Sequence, residues 1–270
     1  EPSDKLPKMV SFKCGTKVNV VPAAAEALFE GLDGDETEAL AKSMEEELGI
    51  TFTVSSEDGC LKIAASGENG HASTPWKGKN ALTGLLALIE RLPLAECGQL
   101  KAVRALNHLM PHGDWFGAGL GIQISDEESG ELTLAFSMLD ISEKSLEGEF
   151  DSRCPICATK ENTIDVIRKN MEAEGISFNT EELEPPHHVP ADSDFVKTLL
   201  SAYESYSGRK GECIAIGGGT YVHHLKNGVA FGACLPETEN HMHGPDEFAV
   251  VDELLMSAKI FAQVIVDLCS

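Results

Sequence analysis

The sequence is short of positive charge: 21 Lys and Arg stand against 44 Asp and Glu, a formal net charge of −23 at pH 7. Binding to nucleic acid or to an anionic membrane rests on clustered cations, so both are poor partners for this chain. The acidic balance reads as solubility, or as adaptation to an acidic cytoplasm, and selects no substrate by itself. No apolar run approaches the ~20 residues that a bilayer-spanning helix needs. The opening residues, Glu1-Pro2-Ser3-Asp4-Lys5, hold no basic stretch followed by an apolar one, so no signal peptide is visible. Dense cysteine is missing too. The eight cysteines are scattered, mostly beside Val, Ile, Leu or Ala, which excludes a small disulfide-stapled domain. They are expected to be mostly buried free thiols in a reducing compartment.

What is present is ordinary globular material: 270 residues, 42% hydrophobic and 24% charged, enough for one large domain or two smaller ones. Residues 1–8, polar and with two prolines, read as a linker. Strands are expected over 9–12 and 23–29, then a helix over 35–48, where Leu40, Met44 and Leu48 recur at four-residue spacing and Gly49 closes the helix. Residues 51–54 and 61–64 alternate as a hairpin about Glu57-Asp58-Gly59. Helices follow at 80–91 and 99–109, strands at 132–137 and 148–153, a helix over 161–174 with Ile164, Ile167 and Met171 inward, and a strand over 178–183. This order predicts a two-layer α+β fold, an antiparallel sheet with helices, with a hint of a doubled unit. Three prolines between Pro185 and Pro190 mark a boundary near residue 190. Beyond it, a helix (195–206), strands (213–216 and 229–231) and a helix (251–268) keep an α/β rhythm.

Several short motifs carry chemistry. His241-Met242-His243-Gly244-Pro245-Asp246-Glu247 offers imidazoles and carboxylates, the common zinc ligands, or else is a polar loop with incidental histidines. No second ligand cluster of suitable spacing exists in the chain, whereas a catalytic zinc needs about three protein ligands. Cys154-Pro155-Ile156-Cys157 stands alone, and two packed thiols explain it better than a zinc ribbon or a redox motif. Gly217-Gly218-Gly219-Thr220 lacks the P-loop lysine; it could present backbone N–H groups to an anion, a carboxylate as well as a phosphate. His71, after a strand and before a helix, is either a loop histidine with Ser73 or Thr74 as helix cap, or a donor aimed at an oxyanion. Arg153 is either a strand-edge charge or a fork for a substrate carboxylate.

Taken in order, Lys17-Val18-Asn19-Val20-Val21-Pro22, His71-Ala72-Ser73-Thr74-Pro75 with Gly78 and Asn80-Ala81, Phe150-Asp151-Ser152-Arg153-Cys154-Pro155, Gly217-Gly218-Gly219-Thr220-Tyr221 with Asn227-Gly228-Val229-Ala230-Phe231-Gly232, and His243-Gly244-Pro245-Asp246-Glu247 resemble the PepV-like dipeptidases. These belong to the metallopeptidase superfamily that also holds carnosinase and aminoacylase. The resemblance implies a catalytic α/β domain interrupted by an α+β lid, with residues 9–190 as the lid and 191–270 as a returning, partial piece of the catalytic domain. It implies a pair of zinc ions, with His243 as terminal ligand of one. It also implies that His71 polarises the scissile carbonyl from the lid, on a different domain from His243. Asn19 and Arg153 would hold the substrate's C-terminal carboxylate, helped by backbone N–H groups of Gly218, Gly219 and Thr220.

Arg153 is therefore expected outside any structural ion pair. Cys154 replaces a usual Tyr, and His223 stands where Arg is frequent. The family's first catalytic segment, with most metal ligands and the general base, has no counterpart in these residues. The chain alone is thus expected to be inactive, as part of a monomeric cytoplasmic dipeptidase acting on small peptides with free termini. The alternatives are a deacylase of N-acyl amino acids and a non-catalytic lid-type binding module.

Overall fold

The computed structural model describes residues 6–232, 234–241 and 246–270. The chain forms two compact units, Glu1–Pro186 and His187–Ser270.

In the first unit the elements run β1 (Lys8–Cys14), β2 (Val20–Val21), β3 (Ala24–Glu30), α1 (Gly34–Leu48), β4 (Thr51–Glu57), β5 (Cys60–Ser66) and β6 (Gly70–His71). After a single 3₁₀ turn (Pro75–Lys77) come α2 (Ala81–Arg91), α3 (Gly98–Leu109), β7 (Ser125–Asp126), β8 (Gly130–Glu131), β9 (Thr133–Ile141), β10 (Leu146–Arg153) and α4 (Ile164–Ala173). Six strands make one antiparallel sheet in the order β10-β9-β1-β3-β5-β4. The two halves suggested by the sequence are therefore fused: β1 pairs with β3 on one side and with β9 on the other.

Local chemistry explains the element ends. Asp33 caps α1, its carboxylate accepting from the Glu36 N–H, and Gly49 ends the helix in the left-handed region at φ 64°. Asp58 and Gly59, at φ 47° and 82°, make the two-residue turn that joins β4 to β5. Asn80 caps α2 by accepting from Leu82 and Thr83 N–H, while its side-chain amide donates to the Phe136 carbonyl at 2.8 Å. One asparagine thus starts the central helix and ties it to β9.

The sheet has one apolar and one charged face. On β3, Ala25, Ala27 and Phe29 point into the core, and Glu26 points away to meet Lys62 of β5 at 2.8 Å. The apolar face is covered by α1 to α4. Helix α2 is buried almost all round: Leu82, Leu85, Leu86, Leu88 and Ile89 are each fully enclosed. Burial of each such side chain contributes roughly 1.5–3 kcal/mol, so α2 is the main anchor of the unit.

Three expectations fail here. Residues 178–183 are not a strand: Phe178 stacks on Phe150 at 5.9 Å, and the Thr180 carbonyl is taken by Arg168. Helix α4 starts at Ile164 rather than 161, because Thr159 and Asn162 exchange side-chain and backbone hydrogen bonds that compete with the first helical turn. The eight thiols are free, as expected, but none is buried; four are half-buried and four exposed. Burial is felt most at Cys14, whose thiol is pushed up to about 12.

The second unit is much thinner. Helix α5 (Asp194–Ser207), capped by Ser193 and closed by Gly208, packs against α6 (Val251–Cys269) through Leu199, Ala202, Ile260 and Val264. Between them, the described residues hold only a 3₁₀ turn, Tyr221–His224. The strands expected at 213–216 and 229–231 are absent, so the α/β rhythm is not realised among the described residues of this unit. A strand needs a neighbour to receive its hydrogen bonds and apolar face. Here Ile214 and Ile216 are 82% and 61% exposed.

Among the described residues, no helix is long and apolar enough to cross a membrane.

Candidate functional site

The sequence candidates Asn19, His71 and Arg153 all fall in the first unit: Asn19 and His71 on a short ribbon, and Arg153 on the sheet face against which that ribbon is seated. The two-residue strands β2 and β6 pair as a short ribbon, with Val20 opposite His71. The ribbon is extended by the Ala72 N–H donating to the Asn19 carbonyl at 3.0 Å, which places Asn19 opposite Ala72, one position along from the Val20–His71 pair. Beneath them, Val21, Ala72 and Ala135 form a small buried cluster that seats the ribbon on β9. Ala135 and Thr133 point away from the main core, since Leu134 and Phe136 point into it. Their cross-strand partners on β10 are Asp151 and Arg153. Directly paired residues share a face, so Arg153 lies on the side that carries the ribbon.

Arg153 does not stand alone, contrary to the expectation. Its Nε donates to Asp151 Oδ1 and its Nη2 to Oδ2, both at 2.6 Å, and the Asp151 side chain is only 10% exposed. The reason is the strand period: residues two apart lie on one face. This pairing uses one edge of the guanidinium. The fork has five N–H donors, and among the described residues no hydrogen-bond partner is given to Nη1, which leaves a second edge for another carboxylate. Asp151 therefore holds Arg153 in one orientation without consuming it. Nearby, the Thr133 hydroxyl, opposite Arg153 in the ladder, is buried without a hydrogen-bond partner.

His71 is exposed, and Ser73 does not cap a helix as one reading had it. The Ser73 N–H donates to His71 Nδ1 at 3.1 Å, and the Ser73 hydroxyl lies 2.7 Å from the same nitrogen. Nε2 has no partner among the described residues. Asp151 and Ser73 are the supporting residues that sequence reasoning did not assign. Their signal was spacing alone, two residues from the group each one holds.

The remaining candidates lie elsewhere. Gly218, Gly219 and Thr220 are in the second unit. A Cβ on Gly218 or Gly219 would meet nothing within 4 Å among the described residues. The Thr220 N–H is directed at Nδ1 of His223, 3.5 Å away, so this one of the three expected donors is already engaged. His243 lies outside the described residues. Among the described residues no three His, Cys, Asp or Glu side chains form a group that could hold a metal ion. The described residues alone thus do not make a metal centre.

Cys154 and Cys157 are both free thiols, Cys154 half-buried and Cys157 exposed. Burial raises the Cys154 thiol, which makes it a poorer nucleophile. The loop is pinned by Asp126, whose carboxylate accepts N–H bonds from Ser129, Glu128 and Cys157 and is held down to about 2, chiefly by the Ser129 N–H.

A cavity of about 470 Å³ opens beside the ribbon's seat, lined by Val21 and Ala135 together with Trp76, Trp115, His112 and Phe136. It includes none of the candidate site residues. His112 fills its inner wall, with Nε2 on the Leu48 carbonyl and Nδ1 on the Thr83 hydroxyl, both at 2.8 Å.

Residues 15–267 match the model of peptidase family M20/M25/M40, and the chain belongs to that family. It is 36% identical over 270 residues to a Bacillus subtilis (strain 168) protein named "Putative dipeptidase YtjP", covering 99% of this chain and 57% of the relative. It is 31% identical over 261 residues to the "Beta-Ala-Xaa dipeptidase" of Lactobacillus delbrueckii subsp. lactis, covering 95% of this chain and 54% of that one. The chain thus spans about half the length of the curated relatives it matches.

Proposed function

We propose that the full-length protein is a zinc-dependent dipeptidase of the PepV type. The first unit would be its substrate-gripping lid and the second a returning part of its catalytic domain, in the cytoplasm. The observation that carries the reading is that the sheet face bearing Arg153 also seats the ribbon of Asn19 and His71: a guanidinium oriented by Asp151, the Asn19 turn, and an imidazole whose Nε2 has no partner among the described residues. Arg153 and Asn19 would take the C-terminal carboxylate of the substrate. A carboxylate clamp one residue beyond the scissile bond measures length, which is what separates a dipeptidase from a general peptidase. His71 would donate from Nε2 to the carbonyl oxygen as it gains negative charge. Backbone N–H groups at Gly218, Gly219 and Thr220 would add to the carboxylate grip, Thr220 only after release from His223. The reading assigns two zinc ions to the complete site, His243 being the ligand that this stretch contributes. The resulting partner is a small peptide, handled by a monomer.

The test uses the full-length protein with a free dipeptide, the same dipeptide amidated at its C-terminus, a tripeptide and an N-acetyl amino acid. The expected order is strong hydrolysis of the free dipeptide alone, abolished by a chelator and restored by zinc. Preference for the N-acetyl amino acid would replace the dipeptidase reading with a deacylase. Binding of dipeptide without turnover under any divalent metal would leave a binding module.

A further inference from the structure

We infer that Ser73 is a positioning residue that fixes the tautomer of His71, holding Nδ1 without a proton so that the ring presents its N–H at Nε2. The inference rests on the reading of His71 as the oxyanion donor and extends it to the group that makes such donation available.

The argument is one of donor counting. A neutral imidazole carries one N–H and one bare nitrogen, and its neighbours decide which is which. The backbone N–H of Ser73 can only donate, and it points at Nδ1 from 3.1 Å. A proton on Nδ1 would set two N–H groups against each other. Nδ1 is therefore the acceptor, and the Ser73 hydroxyl, 2.7 Å away, is free to rotate and donate to it as well. The single ring proton is left at Nε2, the far side of the ring. A bare Nε2 would present a lone pair to the carbonyl oxygen and repel it; a protonated Nε2 stabilises the developing charge.

The backbone keeps this arrangement in place. Val20 pairs with His71, Ala72 is fully buried against Val21 and Ala135, and the Thr74 N–H closes a turn on the His71 carbonyl at 2.9 Å. Ser73 follows in that turn, which fixes its N–H, while the exposed His71 ring is kept turned onto that N–H by the second donor, the Ser73 hydroxyl. Ser73 thus acts through His71 and touches no substrate.

The experiment combines spectroscopy and kinetics on the full-length protein. Ring-nitrogen ¹⁵N resonances of histidine-labelled protein, recorded near pH ~8.5 where imidazoles are neutral, would be assigned to His71 by their loss in His71→Gln. The expected wild-type pattern is a bare Nδ1 and a protonated Nε2. Ser73→Ala keeps the backbone N–H and loses the hydroxyl; a population with Nδ1–H is expected to appear. In the same variant kcat should fall about 3- to 10-fold, the size of one orienting hydrogen bond, with KM little changed. Ser73→Thr should restore both. A wild-type His71 protonated at Nδ1 would overturn the inference. So would a Ser73→Ala enzyme whose ring signals are unchanged, whatever its kcat. If His71→Gln leaves dipeptide turnover intact, the oxyanion reading fails, while the ring-nitrogen pattern still decides whether Ser73 sets the tautomer.

Discussion

The two units were equally readable as helices and strands on paper, yet only one became what its pattern promised. The first unit closes its apolar strands into a six-stranded sheet and covers them with four helices around a continuous core. The second buries Leu199, Ala202, Ile260 and Val264 between two helices and leaves Ile214, Ile216, Val251, Leu255 and Ile265 largely exposed. Apolar patterning creates a demand for a partner surface. Where neighbours exist within the unit, the demand is met and strands form. Where they do not, the same pattern stays open chain. These exposed apolar side chains fit the proposal that the second unit belongs to a larger catalytic domain.

The sharpest way to break this comparison is catalytic. On the proposed reading, the 270-residue chain by itself is expected to hydrolyse no dipeptide, with or without added zinc, and the full-length protein is expected to hydrolyse it. Chelator-sensitive turnover by the chain alone, measured on an Ala-Ala-type substrate, would remove the asymmetry between the units as a functional statement.

Next in size comes the core of the first unit. Leu85→Ala empties a fully buried position in α2 and is expected to cost about 2–5 kcal/mol. Denaturant melts of the two proteins would measure it; a loss below ~1 kcal/mol would mean that α2 is not the anchor described.

Arg153→Lys keeps the charge and loses the fork. It would also lose the bidentate Asp151 contact, so lid stability has to be separated from the substrate grip. For the free dipeptide, kcat/KM is expected to fall by an amount equivalent to ~2–3 kcal/mol. The C-terminally amidated dipeptide, already poor, should be nearly indifferent. The two substrates and two enzymes form a cycle. Equal losses on both substrates would reassign Arg153 to holding β10, with Asp151 as its sole partner.

A smaller effect tests the cavity wall. Burial lowers the pKa of His112 below the ordinary value of 6.5, so the unfolded chain takes up a proton that the folded unit resists. Stability is then independent of this group above about pH 6.5 and falls as the pH drops from there toward the folded pKa. His112→Gln should flatten that acid-side slope in melts of the first unit, at a cost of about 1–3 kcal/mol at neutral pH for two altered buried hydrogen bonds. A wild-type slope that persists in the variant would place the proton uptake on another group.

The smallest effect belongs to the second unit. Ile214→Ser, at a position 82% exposed, should change the stability of this chain by less than ~0.5 kcal/mol. The same substitution in the full-length protein should cost clearly more if that face is covered there. Equal, negligible effects in both would separate the exposed surface from any partner domain.

Much of the first unit was legible because its signals are local. Leu40, Met44 and Leu48 repeat at helical spacing, Asp58-Gly59 fits a two-residue turn, and Asn80 is a strong cap; each needs only its neighbours in sequence. The strand expected at 178–183 failed for the opposite reason, since a phenylalanine anchor at Phe178 satisfied the segment without a ladder. Of the site, the residue types were legible and their supports were not. Arg153 and His71 could be named as chemistry, but their grips by Asp151 and Ser73 depend on which face and which turn each pair occupies.

What the sequence determined by itself was periodicity, capping and the supply of chemical groups, all of which depend on residues within a few positions of one another. Tertiary structure alone decided that β1 sits between β3 and β9, and that a ribbon of two-residue strands is seated on Ala135. It also decided that the ribbon of Asn19 and His71 is seated on the sheet face that bears Arg153, 134 positions from Asn19 by the numbering. The physical reason is the same in each case. Strand partners are chosen by burying apolar faces and satisfying backbone hydrogen bonds across the whole unit, and no stretch of sequence contains its own partner.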